Sequence, residues 1–370
     1  MDEEQLKQLC EAVIDSMFDT APTDERRERA RIYTQEFLEN KELNWDAPDA
    51  KVAREFFQDR LNMMDIEDLP KIQSVLADKH IIPNNKLSNA ITADIVDAGQ
   101  VTLQKTAGRG VDTHCILTYE GEDVKLLGRH PITEYDRQVM NAVCSLCVYG
   151  HKRRIMTPAM IYRHMTHDID GTTPSKQQIA AVTKSLDKMR FIRVQVNLRD
   201  ELKRRRLNLT AGQIQGGMID TYLLAMRKIE VRAGGRKVTA YRVLEMPILY
   251  EYAKFVGGQV LTIPTEALDI WDCGVKVSNT EKRIAVKGYL LRRIKQMNST
   301  TKAGKARMNN SILYDTIEQS VFYGELSNKE RRAIKEYIDT CLTSWKLTGY
   351  IKGYAYIMSG KKRLGVEIQI

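Results

Sequence analysis

The sequence predicts an α+β protein in which a unit of three helices and a β-hairpin occurs twice behind an acidic helical segment. Three observations lead to this prediction. Helical and strand periodicities alternate in the same order in residues 133–241 and 278–370. The net charge changes sign near residue 85. The 370 residues are 43% hydrophobic, which is enough for two or three packed domains.

Residues 1–85 are predicted to form an acidic helical domain. They contain 11 Lys and Arg against 20 Asp and Glu, a net charge of −9, and Leu6, Leu9 and Val13 recur at helical spacing. The remaining residues contain 46 Lys and Arg against 28 Asp and Glu, a net charge of +18. A strongly basic body is typical of a polyanion-binding protein, and the same polyanion would repel the acidic segment. We therefore expect the acidic segment to contact protein.

The first repeated unit is predicted inside a domain of residues 86–262. Residues 81–90 are typical of a linker, and residues 91–130 are rich in strand patterns. Thr133 and Asp136 have the spacing of a capping box at the start of a first helix. Thr157-Pro158 and Thr173-Pro174 predict the starts of the second and third helices, because proline is tolerated in the first turn.

Strand patterns follow the third helix of this unit. Apolar and polar residues alternate from Ile192 to Leu198, which predicts a half-buried strand. Residues 228–232 and 237–241 lie on either side of a Gly-Gly pair. This arrangement predicts a β-hairpin.

The same order returns in residues 263–370, the predicted second domain. Ser278 with Glu281, and Ser327 with Glu330, have capping-box spacing before the first and third helices, and apolar residues at helical spacing near residue 317 mark the second. The chain then alternates in two runs around a turn at residues 359–362. This pattern predicts a second hairpin.

Three helices followed by a hairpin is the order of the winged helix-turn-helix. Its third helix enters the ~12 Å major groove, and its hairpin, the wing, lies along the neighbouring backbone. The first turns of the second unit's third helix are basic, although cations there oppose the helix dipole at a cost of up to ~1 kcal/mol. Any single basic cluster is also typical of a solvated surface. Basic clusters at the starts of both third helices and at the tip of the second hairpin together favour DNA contact. The candidate DNA-binding residues are Ser175, Lys176, Gln177, Gln178, Lys184, Lys302, Lys305, Arg307, Lys329, Arg331, Arg332, Lys335, Lys361, Lys362 and Arg363.

No enzymatic chemistry is predicted, and we expect no catalytic residue, cofactor or metal. The P-loop pattern is absent. Cys144 and Cys147 lie within one predicted helix and are interpreted as core cysteines, while His164 and His167 are interpreted as surface or capping residues. Six cysteines are too few for a disulfide framework. No apolar run reaches the ~20 residues of a membrane span, and the first residues do not resemble a signal peptide, so we expect a cytoplasmic protein without membrane contact.

Residues 90–370 resemble the replication initiators of theta-replicating plasmids and related mobile elements. The resemblance lies in the stretch from His130 to Val139, the Thr157-Pro158 helix start and the stretch from Trp345 to Tyr354. It implies two winged-helix domains that bind repeated double-stranded sites at an origin, with the strongest base contacts from the second unit. It also implies a homodimer through the first unit, for which residues 219–244 are the candidate surface. Residues 1–85 depart from the family plan, and oligomerisation, recruitment of a host helicase or initiator, and restraint of DNA binding stand as alternatives for them.

Two other functions fit the same pattern. A winged-helix transcriptional regulator would bind a palindromic operator without melting DNA. A helicase-loading adaptor would bind DNA weakly, with a shallow salt dependence.

Overall fold

The computed structural model describes thirteen stretches of the chain and the isolated helical positions Gln35 and Glu39. The stretches are residues 77–85, 88–89, 100–103, 113–119, 132–149, 154–168, 173–197, 214–215, 218–233, 236–255, 259–298, 309–322 and 324–370. The chain divides into one unit of residues 1–69 with Ile229–Ala240 and another of Pro70–Lys228 with Tyr241–Ile370. Most described residues belong to the second unit. None of the helices within them has the length and hydropathy of a membrane span.

The described elements form a mixed helical and sheet structure. The first half contains β1 (Lys79–Pro83), β2 (Gln100–Leu103), β3 (Thr113–Tyr119), α1 (Glu134–Tyr149), β4 (Ile155–Met156), α2 (Pro158–Thr166), α3 (Lys176–Met189), β5 (Ile192–Asn197), β6 (Ile214–Gln215), β7 (Met218–Tyr222), β8 (Met226–Ala233) and β9 (Arg236–Val243). The second half contains α4 (Ile248–Phe255), β10 (Val260–Pro264), a 3-10 turn (Thr265–Leu268), β11 (Trp271–Asp272), β12 (Val275–Lys276), α5 (Glu281–Met297), β13 (Ser311–Leu313), α6 (Tyr314–Val321), α7 (Asn328–Leu347), β14 (Gly353–Ser359) and β15 (Lys362–Gln369).

One topology occurs twice. The first repeat consists of α1, β4, α2, α3 and the hairpin β8–β9, and the second consists of α5, β13, α6, α7 and the hairpin β14–β15. In each, the short strand pairs with the second strand of the hairpin, which gives the sheet orders β4-β9-β8 and β13-β15-β14. The predicted order of three helices and a hairpin is therefore present in both repeats.

The repeats differ between the third helix and the hairpin. The alternating strand predicted after α3 is β5, and it lies in a five-stranded sheet of order β2-β3-β5-β7-β6. β5 pairs antiparallel with both β3 and β7. In the second repeat α7 leads directly into its hairpin. The first repeat thus contains an inserted sheet, while buried Ile192 and Ile351 hold equivalent positions just after the third helices.

Among the predicted starts of α1, α2, α3 and α5, two are confirmed and two are wrong. Thr133 and Asp136 bond reciprocally before α1, and Thr157 caps α2. The prediction that Thr173-Pro174 starts the third helix is wrong, because Ser175 and Gln178 form a complete capping box two residues later. The predicted Ser278–Glu281 box does not form either.

Thr280, two residues after Ser278, caps α5 instead. The Thr280 hydroxyl accepts from the backbone N–H of Arg283, and this contact starts α5. Ser278 lies outside the helix, and its hydroxyl accepts a 2.7 Å hydrogen bond from Nη1 of Arg283.

The linker prediction for residues 81–90 is also wrong at its start. β1 pairs antiparallel with β10 over five residues, from Lys79 with Pro264 to Pro83 with Val260. Ile81 and Ile82 belong to the hydrophobic core. Pairing with β10 buries these apolar side chains. The pairing was not predicted because β10 lies about 180 residues further along the chain, and no local sequence pattern shows it.

Helices α1 and α5 pack directly on each other and join the two repeats. Glu134 of α1 forms a buried ion pair with Arg292 of α5, with 3.2 Å between Oε2 and Nη2. Burial raises the pKa of Glu134, while the charge of Arg292 opposes that shift. The side chain of Gln138 lies over Gly288, where a glycine allows the two helices to approach closely.

Candidate nucleic-acid interface

Of the three helices of the second repeat, α7 has the most complete set of N-terminal capping contacts. Ser327 and Glu330 form the predicted capping box, with the Ser327 backbone N–H donating to Glu330 at 2.9 Å and the Glu330 N–H donating to the Ser327 hydroxyl at 3.3 Å. The Lys282 ammonium, at the start of α5, also donates to Glu330. This hydrogen bond, together with those from Ser327, lowers the pKa of Glu330 to about 2. The carboxylate therefore stays charged and holds the start of α7 against α5.

An open groove of about 1010 Å³ lies along the first half of α7. Residues of α6 form one wall, one face of α7 forms the other, and Lys362 and Arg363 of β15 close one end. Ile334, Ile338 and Leu342 of α7 point the opposite way, into the core. The groove is thus lined by exposed residues of α6, α7 and β15.

The groove is lined by as many carboxylates as cations. Its acidic residues are Asp315, Glu318, Glu325, Glu336 and Asp339, and its basic residues are Arg331, Arg332, Lys335, Lys362 and Arg363. The cations were predicted from the sequence, and the carboxylates were not. Asp315 and Glu318 do share one face of the second helix in the sequence, at a spacing of three. That α6 turns this face toward α7 follows from tertiary packing, which the spacing does not show.

Several predicted cations have partners within the protein. Arg331 Nε donates to Glu318 Oε2 of α6 at 2.9 Å, which raises the pKa of this guanidinium. Arg363 on the hairpin bonds Asp339 of α7 at 3.2 Å and lies 4.0 Å from the centre of the Tyr356 ring. These two arginines connect α7 to its neighbours.

The other predicted residues of the second repeat differ in their contacts. Arg332 pairs with Glu336 one turn along the same helix, and the Lys335 ammonium lies 5.1 Å from the centre of the Tyr314 ring. Lys329 and Lys361 have exposed side chains. Lys302, Lys305 and Arg307 lie outside the described residues.

In the first repeat the predicted residues divide into a cap and an exposed set. Ser175 and Gln178 bond each other at the start of α3. Lys176, Gln177 and Lys184 are exposed on the same helix. The third helix of this repeat therefore presents fewer cations than α7, and its cap residues are engaged by the helix itself.

Of the two histidines at the end of α2, His167 lies in the predicted environment and His164 does not. His167 ends α2 in a left-handed conformation with φ of 48°, as a capping residue should. His164 is wrongly predicted as a surface or capping residue, because it is 1% exposed and its Nε2 lies 3.2 Å from Nδ1 of His80. Burial and the nearby charge of His167 lower the pKa of His164 to about 3. Cys144 is buried as predicted, and within the described stretches no group of three or more His, Cys, Asp or Glu could hold a metal ion.

Comparisons with known proteins give a structural likeness only. No protein-family model matches the sequence, and no curated protein matches it. The similar solved structures include a selenomethionine derivative of domains 2 and 3 of RctB and RctB domains 2–3. The first gives a TM-score of 0.36 over 78% of this chain and the second 0.39 over 77%, each with 13% identity and 96% of the other chain covered. TM-scores below 0.5 do not establish a common fold.

Proposed function

We propose that the two repeats are winged helices that bind double-stranded DNA sequence-specifically, and that the protein recognises a replication origin and starts replication there without catalytic chemistry of its own. The observation that carries the proposal is the duplicated topology, in which a capped third helix is followed by a hairpin that pairs with the short strand before the second helix. The net charge of +18 on residues 86–370 supports a polyanionic partner. The sequence resemblance to plasmid initiators supports origin recognition over other uses of the fold.

The balanced charge of the groove favours base reading over simple attraction to phosphate. A duplex entering the groove brings phosphates toward Glu318 and Asp339 as well as toward Arg331 and Arg363. Non-specific binding is therefore opposed at the centre of the surface. Lys329, Lys361 and Lys362 are the exposed cations available at its rim, where phosphate contacts position a winged helix on the duplex.

A binding titration tests the proposal. Fluorescence anisotropy would compare a duplex from the DNA beside the gene with a random duplex of equal length at several salt concentrations. We expect a clear preference for the first duplex and, for several phosphate contacts, a loss of about 10³-fold or more between 50 and 200 mM salt. Equal affinity for the two duplexes would contradict sequence-specific binding.

A pair of variants localises the phosphate contacts. Lys361→Ala with Lys362→Ala should weaken binding to both duplexes and lower the salt slope by about 0.9 for each lost contact. Lys79→Ala removes an exposed lysine on β1, outside the candidate interface, and as a control it should change neither quantity. Permanganate reactivity of an AT-rich stretch upon binding would separate an initiator from a transcriptional regulator, and a shallow salt dependence would favour the helicase-loading adaptor.

A further inference from the structure

Arg332 and Glu336 form the most exposed ion pair of the groove. Arg332 Nε donates to Glu336 Oε1 at 3.0 Å, and the two side chains are 84% and 65% exposed. Both residues line the groove, one turn apart on α7. Neighbouring Arg331, in contrast, crosses to Glu318 of α6, and Glu318 is 19% exposed. Arg331 therefore has a structural partner on another element, whereas Arg332 has its partner on its own helix.

The Arg332–Glu336 pair is poorly placed to stabilise the helix. At this spacing an acidic residue before a basic one is the favourable order, and here the order is reversed. Arg332 lies close to the N-terminus of α7, where a cation opposes the helix dipole. Exposed pairs of this kind contribute little to stability. A role in helix stability therefore does not account for the pair.

The geometry of the contact leaves one edge of the guanidinium open to solvent. Glu336 engages Nε of Arg332, and neither terminal nitrogen of that guanidinium has a hydrogen-bond partner in the described part of the chain. Those two nitrogens present parallel N–H donors. Guanine offers the matching pair of acceptors, O6 and N7, in the major groove. The Glu336 carboxylate beside these nitrogens repels phosphate. Phosphate is the other group that accepts a bidentate contact of this kind from an arginine.

We propose that Arg332 reads a guanine in the major groove, that Glu336 is a positioning residue that orients its guanidinium, and that this pair determines the base preference of the second repeat. The inference rests on the proposed function. It separates the two adjacent arginines of α7, because Arg331 holds α7 to α6 and Arg332 contacts the base.

Selection from a duplex library with 20 randomised base pairs tests the assignment. The full chain would be used as wild type and as Arg332→Ala, Arg332→Lys, Glu336→Gln and Arg331→Ala. Glu367→Gln, at an exposed position of β15, is the matched control for the charge change. Thermal melts of each variant would establish that it is folded.

The expected result is a wild-type motif with one guanine position that depends on Arg332. Arg332→Ala should lower the preference for guanine there by roughly 5- to 150-fold and leave the other positions unchanged. Arg332→Lys should restore it in part, because an ammonium lacks the planar fork. Glu336→Gln should lower the guanine preference while strengthening binding to random duplex, and neither Arg331→Ala nor Glu367→Gln should change the preferred base.

Two results would overturn the assignment without affecting the proposed function. If Arg332→Ala weakens all sequences equally and lowers the salt slope by about 0.9, then Arg332 contacts phosphate. If the guanine preference survives in Arg332→Ala, another residue reads that base. A wild-type protein that enriches no motif at all would overturn the proposed function itself, and the assignment with it.

Discussion

Gly288→Ala should destabilise the protein, although alanine is the better residue inside a helix. The position lies near the middle of α5. Replacing glycine by alanine there would stabilise the helix by about 1 kcal/mol if the methyl group had room. A Cβ built at Gly288 lies 2.0 Å from Cδ of Gln138 on α1, and 2.2 Å and 2.4 Å from the nitrogen and oxygen of its amide. The methyl group and that amide cannot both keep their places.

The cost follows from what holds Gln138. Its side chain is 3% exposed, and its Nε2 donates to Glu134 at 2.8 Å. Moving the amide strains a packed interface, which typically costs about 1–3 kcal/mol, and weakens a buried hydrogen bond to a carboxylate, which costs a further ~1–3 kcal/mol. After the gain in helix propensity is subtracted, we expect Gly288→Ala to lower the free energy of unfolding by about 1–5 kcal/mol.

In a double-mutant cycle with Gln138→Ala, we expect the effect of Gly288→Ala on the free energy of unfolding to change sign. In a Gln138→Ala background the obstacle is gone, so Gly288→Ala should raise the free energy of unfolding by up to ~1 kcal/mol. Urea unfolding followed by tryptophan fluorescence, with buried Trp345 as a reporter, measures all four proteins. An equal effect of Gly288→Ala in both backgrounds would contradict close contact between the two helices at this point.

Three further predictions concern other parts of the fold. Gly365→Ala should weaken the second repeat's sheet and lower Tm by several degrees, because a Cβ there would lie 2.3 Å from the backbone oxygen of Ile312. Ser327→Ala should cost about 1 kcal/mol in urea unfolding by removing the cap of α7. Lowering the pH from about 7.5 to about 5.5 should cost about 1 kcal/mol for each of His80 and His164, because the unfolded chain takes up protons near pH 6.5 that the buried, pKa-lowered histidines do not.

Each of these has a result that would count against it. For the sheet, an unchanged Tm in Gly365→Ala would mean that β13 and β15 are further apart than described. For the cap, Ser327→Asp should retain most of the stability, so equal losses in the alanine and aspartate variants would exclude a capping effect. For the histidines, a His164→Gln variant should lose stability less steeply over the same pH range, and an unchanged slope would locate the proton uptake elsewhere.

The local elements were largely predictable from the sequence. Capping boxes such as Ser327 with Glu330 mark helix starts because their side chains satisfy backbone N–H groups within three residues. The hairpins follow from alternation around glycine turns, as at Gly360, which adopts a φ of 57°. Errors in helix starts arose where two capping residues compete within a few positions, as Ser278 and Thr280 do.

Tertiary relations were not predictable in the same way. The β1–β10 pairing joins strands about 180 residues apart, and its apolar stretch is too short to distinguish from a linker. The candidate surface was predicted as a row of cations along α7, yet two of the contacts that fix this helix come from other helices. Glu318 of α6 pairs with Arg331, and Lys282 of α5 bonds Glu330 in the cap of α7. Sequence spacing shows which residues share a helix face, but not which face another helix meets.

Under the proposed function, in which both repeats bind one duplex, the packing of α1 against α5 has a consequence for the helical phase of the DNA. The buried Glu134–Arg292 pair and the close approach at Gly288 couple the first helices of the two repeats, so they also set the offset between α3 and α7. One base pair inserted between two contacted segments rotates them by roughly 35° about the duplex axis. We therefore expect a protein coupled in this way to prefer segments that lie at one phase, with any other spacing absorbed by twisting the DNA.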